Sequence, residues 1–166
     1  TDVHALLPVL PKFLGYALSF VYVAIYWNNH HHLMAAARTV SGRILWLNML
    51  LLFCLSIVPF TTAWMTEHPS SAFPVALYGM NLLACAIAFT LLLRGLLAVN
   101  GPDSGLAAAI GNDWKGNVSL LFYIAALPLA YIQVSLAFSC YIIVATIWFI
   151  PDPRLERILD ATEGTE

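Results

Sequence analysis

The sequence predicts an all-α integral membrane protein, built as a bundle of transmembrane helices. Hydrophobic residues make up 61% of the chain and charged residues only 10%, whereas soluble domains average about 45–50% and about 25%. The tract from Gly116 to Pro151 holds 36 residues without one charged side chain. No segment shows the strict alternation of apolar and polar residues that is typical of a transmembrane β-barrel. Because backbone amides must be bonded internally in lipid, the membrane spans are predicted to be helices.

The charged residues divide the chain into five predicted membrane spans within one transmembrane domain, residues 1–166. A single helix over the 36-residue tract would be about 54 Å long, well over the roughly 30 Å hydrocarbon core. The tract is therefore predicted to fold back near Pro128, Gln133 and Ser135. The predicted spans cover about residues 9–33, 43–65, 73–97, 117–132 and 135–150, followed by a tail over 151–166.

Neutral polar residues are the exceptions within these apolar spans. We expect them to form hydrogen bonds across helix interfaces. Trp114 is interpreted as an anchor at the membrane interface; on the simpler reading the same holds for the tryptophans near span ends, Trp27, Trp46, Trp64 and Trp148. Between the third and fourth spans, Ser104-Gly105 predicts the cap of a short helix over 106–110. The polar residues are Asn48, Ser56, Thr61, Thr62, Asn81, Thr90, Ser119, Gln133, Ser135, Ser139 and Thr146.

The basic residues predict the orientation of the chain. Six of the seven Lys and Arg residues fall on one side of the predicted bundle, and only Lys12 falls on the other. Basic loops remain in the cytoplasm, so we predict a multi-pass protein of the plasma (inner) membrane with a cytoplasmic C-terminus and Thr1 outside. An outside N-terminus predicts a transmembrane helix upstream of Thr1, with a cleaved signal peptide as the alternative.

The most distinctive motif is the run Tyr26-Trp27-Asn28-Asn29-His30-His31-His32 at the end of the first span. Successive helical residues point about 100° apart, so the three histidines cannot all face one ion, and no Asp or Glu lies nearby to complete a metal site. We therefore predict no metal and no other cofactor. Trp27 shares a helix face with His31, and Asn28 with His32, which predicts a hydrogen-bonding strip toward a neighbouring helix. The alternative is a polar helix end at the membrane interface.

Four runs carry a family likeness: Phe20–His32, Gly42–Asn48, Pro59–Trp64 and Pro74–Gly79. They resemble the bacterial homologues of the endosomal and lysosomal potassium channel called transmembrane protein 175. The resemblance implies six transmembrane helices in each subunit and a homotetramer around a central pore. It also implies that the first helix lines this pore and carries an Arg-x-x-x-Phe-Ser-Asp motif. The 166 residues contain no Phe-Ser-Asp, so the chain departs from the family pattern by lacking that helix.

The same resemblance implies a role for the polar strip, which we define as residues 27–32. Its side chains would pack against the Arg and Asp of the pore-helix motif and hold the pore helix in place. The residues concerned are Trp27, Asn28, Asn29, His30, His31 and His32.

The predicted function is that of a potassium-selective cation leak channel subunit that lies in the lipid bilayer and has potassium as its permeant ion. The chain has no Thr-Val-Gly-Tyr-Gly string, so selection by a cage of carbonyl groups is not expected. A net charge of −2 indicates no nucleic-acid partner. The alternative is a secondary transporter of a small solute, and a purely structural subunit is a further one. An enzyme with a His-ligated haem or metal is not predicted, because His4 and His68 fall on the side opposite the polar strip.

Overall fold

The computed structural model describes residues 10–111 and 113–150, and all regular structure in these ranges is helical. The predicted tail, 151–166, and the start of the predicted first span at residue 9 lie outside the described residues. The uncharged tract is divided at Gln133, which is the C-cap of one helix and the N-cap of the next. The helices are α1 (Leu10–Ala35), α2 (Gly42–Glu67), α3 (Ala72–Asn100), α4 (Gly105–Ile110), α5 (Trp114–Ile132) and α6 (Val134–Phe149).

Three helices, α2, α3 and α5, are long and apolar enough to cross a membrane. Helix α6 is apolar but has only 16 residues. Helix α1 has 26 residues, the last third of which holds the polar strip, and it is not in this group within the described ranges. The fold is thus an all-helical membrane bundle as predicted, with fewer helices that meet the length and hydropathy of a span than the five expected.

Helix α3 lies at the centre of the bundle. It contacts α2, α5, α6 and α4, while α1 packs against α2 and α6. Large apolar side chains on α3, among them Tyr78, Leu82 and Leu92, are fully buried. Large apolar side chains also cover the outside, where Trp46 is 79% exposed and Ile132 is 75% exposed. An apolar outer surface of this kind is typical of a protein whose surroundings are lipid.

Short connections hold the helix ends at the arginine-bearing end of the bundle. Asn100 at the end of α3 accepts hydrogen bonds from the backbone amides of Arg38 and Thr39, both at 3.0 Å. The hydroxyl of Ser104 accepts from the amide of Ala107 at 3.2 Å, which confirms the predicted capped helix α4. These bonds fix the α1–α2 connection and the entry into α4 against the C-terminal end of α3.

Candidate functional site

The polar strip lies in the second half of α1, where the chain remains helical to Ala35. The rotation of about 100° between successive residues sends its side chains in several directions. Some therefore point into the bundle toward α2 and α6, and others point away from it. The structure divides the strip into an inward group, an outward group and two half-buried residues between them.

The inward group consists of Asn29 and His30. Asn29 is buried, and its amide nitrogen donates to the carbonyl of Ile25 at 2.8 Å and to the carbonyl of Trp148 on α6 at 3.2 Å. His30 contacts Asn48 on α2, with 2.7 Å between Nε2 of His30 and Oδ1 of Asn48. Because Oδ1 can only accept, Nε2 donates in this bond. The two residues therefore fasten α1 to α6 and to α2.

The outward group contains Trp27 and His31. Trp27 is 60% exposed, and its ring stacks on the His31 imidazole with centroids 5.3 Å apart and an angle of 12° between the planes. His31 in turn meets the edge of the His32 ring at 6.0 Å. The result is an open stacked pair on the surface of α1, away from the helices that Asn29 and His30 contact.

Asn28 and His32 lie between these two groups, and both side chains are half-buried. Within residues 10–111 and 113–150, the Nδ1 atom of His32 is buried and has no hydrogen-bond partner. A buried polar atom that lacks a partner loses its hydration without compensation, which costs about 1–3 kcal/mol. A neighbouring group that bonded this atom would therefore stabilise the strip.

Trp148 and Ser119 are parts of the site that the sequence did not single out together. The indole nitrogen of Trp148 donates to the Ser119 hydroxyl on α5 at 2.7 Å, and Lys115 lies 5.9 Å from the centre of the Trp148 ring. Trp148 was interpreted as an anchor at the membrane interface, and its indole also joins α6 to α5 while its carbonyl joins α6 to Asn29 on α1. Its spacing near a helix end gave no signal for this role, but Ser119 was among the intramembrane polar residues expected to bond across helices.

A small cavity lies among α1, α3, α5 and α6 beside Asn29. The centre of a water molecule can occupy about 30 Å³ of this cavity, so the cavity has room for about two water molecules. Carbon atoms make up nearly all of its wall, so it offers little to coordinate an ion. The cavity is lined by Tyr22, Ile25, Tyr26, Asn29, Ala86, Phe89, Thr90, Gly116, Ser119, Tyr123, Val144, Ala145 and Trp148.

The His30–Asn48 bond should be measurable as a coupling between α1 and α2. We expect His30→Leu and Asn48→Leu each to lower the free energy of unfolding, and the double variant to lose less than the sum, with a coupling of about 0.6–1.7 kcal/mol. Unfolding of the purified protein in mixed micelles, followed by tryptophan fluorescence, measures this. Additive losses would contradict the bond.

The comparisons with known proteins all indicate one family. The family model described as the endosomal/lysosomal potassium channel TMEM175 matches residues 1–59. The potassium channel HX13_20290 of Chryseobacterium sp. (strain P1-3) is 43% identical over 155 residues, which are 93% of this chain and 81% of the relative. The potassium channel Cha6605_3372 of Chamaesiphon minutus is 30% identical over 151 residues, 85% of this chain and 73% of the relative.

A third relative matches over a shorter stretch. The potassium channel B446_29190 of Streptomyces collinus is 32% identical over 90 residues, 52% of this chain and 44% of the relative. No solved structure gives a significant match. Because the matches to the first two relatives extend over most of both chains, the protein belongs to the endosomal/lysosomal potassium channel TMEM175 family.

Proposed function

We propose that the chain is a subunit of a potassium-selective cation leak channel, through which ions pass down their gradient. The observation that carries the proposal is the 43% identity to a protein named as a potassium channel, across 93% of this chain. Two further relatives have the same description. Passive conduction needs no covalent chemistry, so this function assigns no enzymatic activity and no cofactor to the chain, with potassium as the permeant ion.

In this proposal the whole chain forms one transmembrane domain in the plasma membrane, with its C-terminus in the cytoplasm. Helices α1, α2, α3, α5 and α6 all cross the bilayer. The 26 residues of α1 are about 39 Å long, and the 16 residues of α6 are about 24 Å long. A span shorter than the roughly 30 Å hydrocarbon core is accommodated by local thinning of the bilayer. Four subunits surround the pore.

The polar strip would support the helix that lines this pore. The family resemblance assigns the lining to a helix with a Phe-Ser-Asp motif, which these 166 residues do not contain. The exposed Trp27–His31 stack and the half-buried Asn28 offer a surface on α1 for it, and Nδ1 of His32 lacks a partner among the described residues. Asn29 and His30 would hold α1 in a fixed rotation while it contacts the pore helix, because they form hydrogen bonds with α6 and α2.

Ion flux through reconstituted protein tests the proposed function. We expect liposomes that contain the intact channel to carry a potassium current down its gradient. The reversal potential should move toward that of potassium when sodium replaces potassium on one side. Solute counterflow, with exchange that saturates at the slow rate of a carrier, would instead indicate the alternative secondary transporter. Equal currents in potassium and sodium would contradict potassium selectivity.

His31→Ala tests the supporting role of the polar strip. Since His31 stacks on the exposed Trp27 ring and is proposed to support the pore helix without lining the pore, its loss should lower the open probability or the yield of assembled channel at least several-fold, with the potassium/sodium permeability ratio unchanged. Single-channel recording and size-exclusion chromatography measure these effects. His68→Ala is the matched control, because His68 is exposed at the opposite end of α2. A changed permeability ratio with normal assembly and gating would refute the supporting role.

A further inference from the structure

The start of α2 meets the end of α3, and each of the two helices carries an arginine at this contact. The helices touch at Gly95, since a Cβ atom there would lie 2.8 Å from Cδ1 of Ile44 and 2.9 Å from Cδ1 of Leu47. Arg43 directly precedes Ile44, and Arg94 directly precedes Gly95. This contact therefore brings both arginines to the same depth in the bundle.

Helix geometry also brings both arginines to the same side of the helix pair. Ile44 and Gly95 face each other, and the preceding residue on each helix lies about 100° around its axis. Because α2 and α3 run antiparallel, the two rotations lead to the same edge of the pair. Arg43 and Arg94 are both exposed, and neither forms an ion pair with another described residue. The edge thus carries two positive charges that have no acidic partner among residues 10–111 and 113–150.

Below these charges the same edge is apolar and exposed. On α3, the side chains of Met80, Ile87 and Leu91 are 45%, 45% and 42% exposed. These residues are seven and four positions apart, and Arg94 follows three positions later, so all four lie on one face of the helix. Leu50 on α2 is 42% exposed, seven residues after Arg43. These apolar side chains form a stripe that runs from the arginines along α2 and α3 toward the middle of the bilayer. We call the arginine pair and this stripe the α2–α3 groove.

We propose that the α2–α3 groove binds an anionic glycerophospholipid. The two guanidinium groups would hold the negatively charged phosphate, because Arg forms charge-assisted hydrogen bonds with phosphate oxygens. The acyl chains would lie along the apolar stripe. Paired arginines favour a lipid with net negative charge over a zwitterionic one, whose ammonium group they repel.

Trp46 gives this groove a second feature of a lipid headgroup site. It follows Arg43 by three residues, so the two side chains are neighbours on the helix surface, and it is 79% exposed. Tryptophan is enriched at the level of the headgroups in membrane proteins. The apolar stripe next to the arginines favours a membrane lipid over a soluble phosphate, because a soluble phosphate has no acyl chains to contact the exposed leucine and isoleucine side chains.

Arg38 is a matched control at the same end of the bundle. Its backbone amide is bound by Asn100, and it lines a polar cleft with Thr39 and Asp103. Asn100 lies five residues after Gly95 on α3, or about 140° around the helix, so this cleft faces away from the α2–α3 groove. Arg38→Gln removes one positive charge near the membrane surface without touching the groove.

Native mass spectrometry of the intact channel in detergent tests the proposal. The protein is titrated with dioleoyl phosphatidylglycerol or dioleoyl phosphatidylcholine, and the bound lipids are counted. We expect tighter binding of phosphatidylglycerol, and a loss of about 30-fold in that affinity in Arg43→Gln/Arg94→Gln, since each arginine near an anionic lipid contributes about fivefold. Arg38→Gln should retain the preference. Quenching by brominated phosphatidylglycerol should fall in Trp46→Phe, which locates the lipid.

Three results would overturn the proposal. Equal binding of the two lipids would show that the arginines do not select charge. An equal loss in Arg38→Gln and in the double variant would show a diffuse charge effect and no groove. Displacement of phosphatidylglycerol by millimolar glycerol phosphate would show a soluble-anion site in place of a lipid site. A thermal-unfolding curve equal to that of the parent shows that the double variant is folded.

Discussion

Gly79→Ala is expected to destabilise the bundle by about 2 kcal/mol, because no space exists for even one methyl group at this position. A Cβ atom on Gly79 would collide with the Tyr141 hydroxyl and lie 3.0 Å from its Cζ atom. Tyr141 cannot move away easily. It is 2% exposed, its hydroxyl donates to the carbonyl of Val75 at 2.9 Å, and its own carbonyl accepts from the Tyr22 hydroxyl at 2.7 Å. The substitution therefore separates α6 from α3.

A second variant identifies the cause of this loss. Tyr141→Phe alone should cost about 1 kcal/mol for the hydrogen bond to Val75. In Gly79→Ala/Tyr141→Phe the worst collision is gone, so the double variant should lose at least 1 kcal/mol less than the sum of the single variants. Gly42→Ala is the control, because nothing lies within 4 Å of a Cβ atom there. Thermal unfolding in detergent measures all four; additive losses, or a stable Gly79→Ala, would contradict the close contact.

The helical fold could be predicted because lipid imposes it locally. An uncharged tract of 36 residues must be helical and must fold back, and these conclusions need no knowledge of the neighbouring helices. The observed break at Gln133 is near residues that the sequence already marks as polar or helix-breaking. The Ser104 cap of α4 is likewise a local property of a hydroxyl before a short apolar run.

The sequence predicts which residues of the polar strip share a helix face, but not which residues of other helices they contact. Sequence spacing identifies Trp27 and His31 as neighbours on one face, and the structure stacks them. It cannot identify the carbonyl of Trp148 as the acceptor for Asn29, because the two residues are 119 positions apart. Nor does it decide which histidine points inward, since that depends on how α1 is rotated against α2. Such contacts come from tertiary packing, which a pattern along one helix does not contain.

The prediction of membrane spans likewise depends both on the sequence of each helix and on contacts between helices. Charges predict α1 as a span by its length and its flanks, although the polar strip places amide and imidazole groups in its second half. If α1 crosses the bilayer as proposed, contacts such as His30 with Asn48 make its polar groups compatible with lipid. The sequence shows which polar groups are present but not which of them bond to each other, and this hydrogen bonding lowers the free-energy cost of placing them in a membrane.

Asn81→Leu is expected to lower the free energy of unfolding by about 1–2 kcal/mol, because Asn81 supports α2 where Pro59 interrupts it. Pro59 has no amide to donate to the carbonyl of Leu55, four residues earlier, and its ring crowds that carbonyl, so the turn just before Pro59 is weakened. The buried Asn81 side chain on α3 lies 3.3 Å from the Thr61 hydroxyl. In the amide orientation that satisfies its neighbours, its nitrogen donates to the carbonyl of Cys54 at 3.2 Å and its oxygen accepts from the amide of Val58 at 3.1 Å.

The dependence on Pro59 distinguishes this support from simple packing. If Asn81 compensates for the interrupted helix, Asn81→Leu should cost about half as much in a Pro59→Ala background as in the parent, since Ala restores the amide donor for Leu55 and relieves the adjacent turn that Asn81 contacts. Asn117→Leu is the control, because the same change on the exposed face of α5 removes no interhelical bond. Unfolding in mixed micelles and the helical signal in circular dichroism measure the four proteins. If Pro59→Ala leaves the loss unchanged, Asn81 stabilises the α2–α3 interface by packing alone.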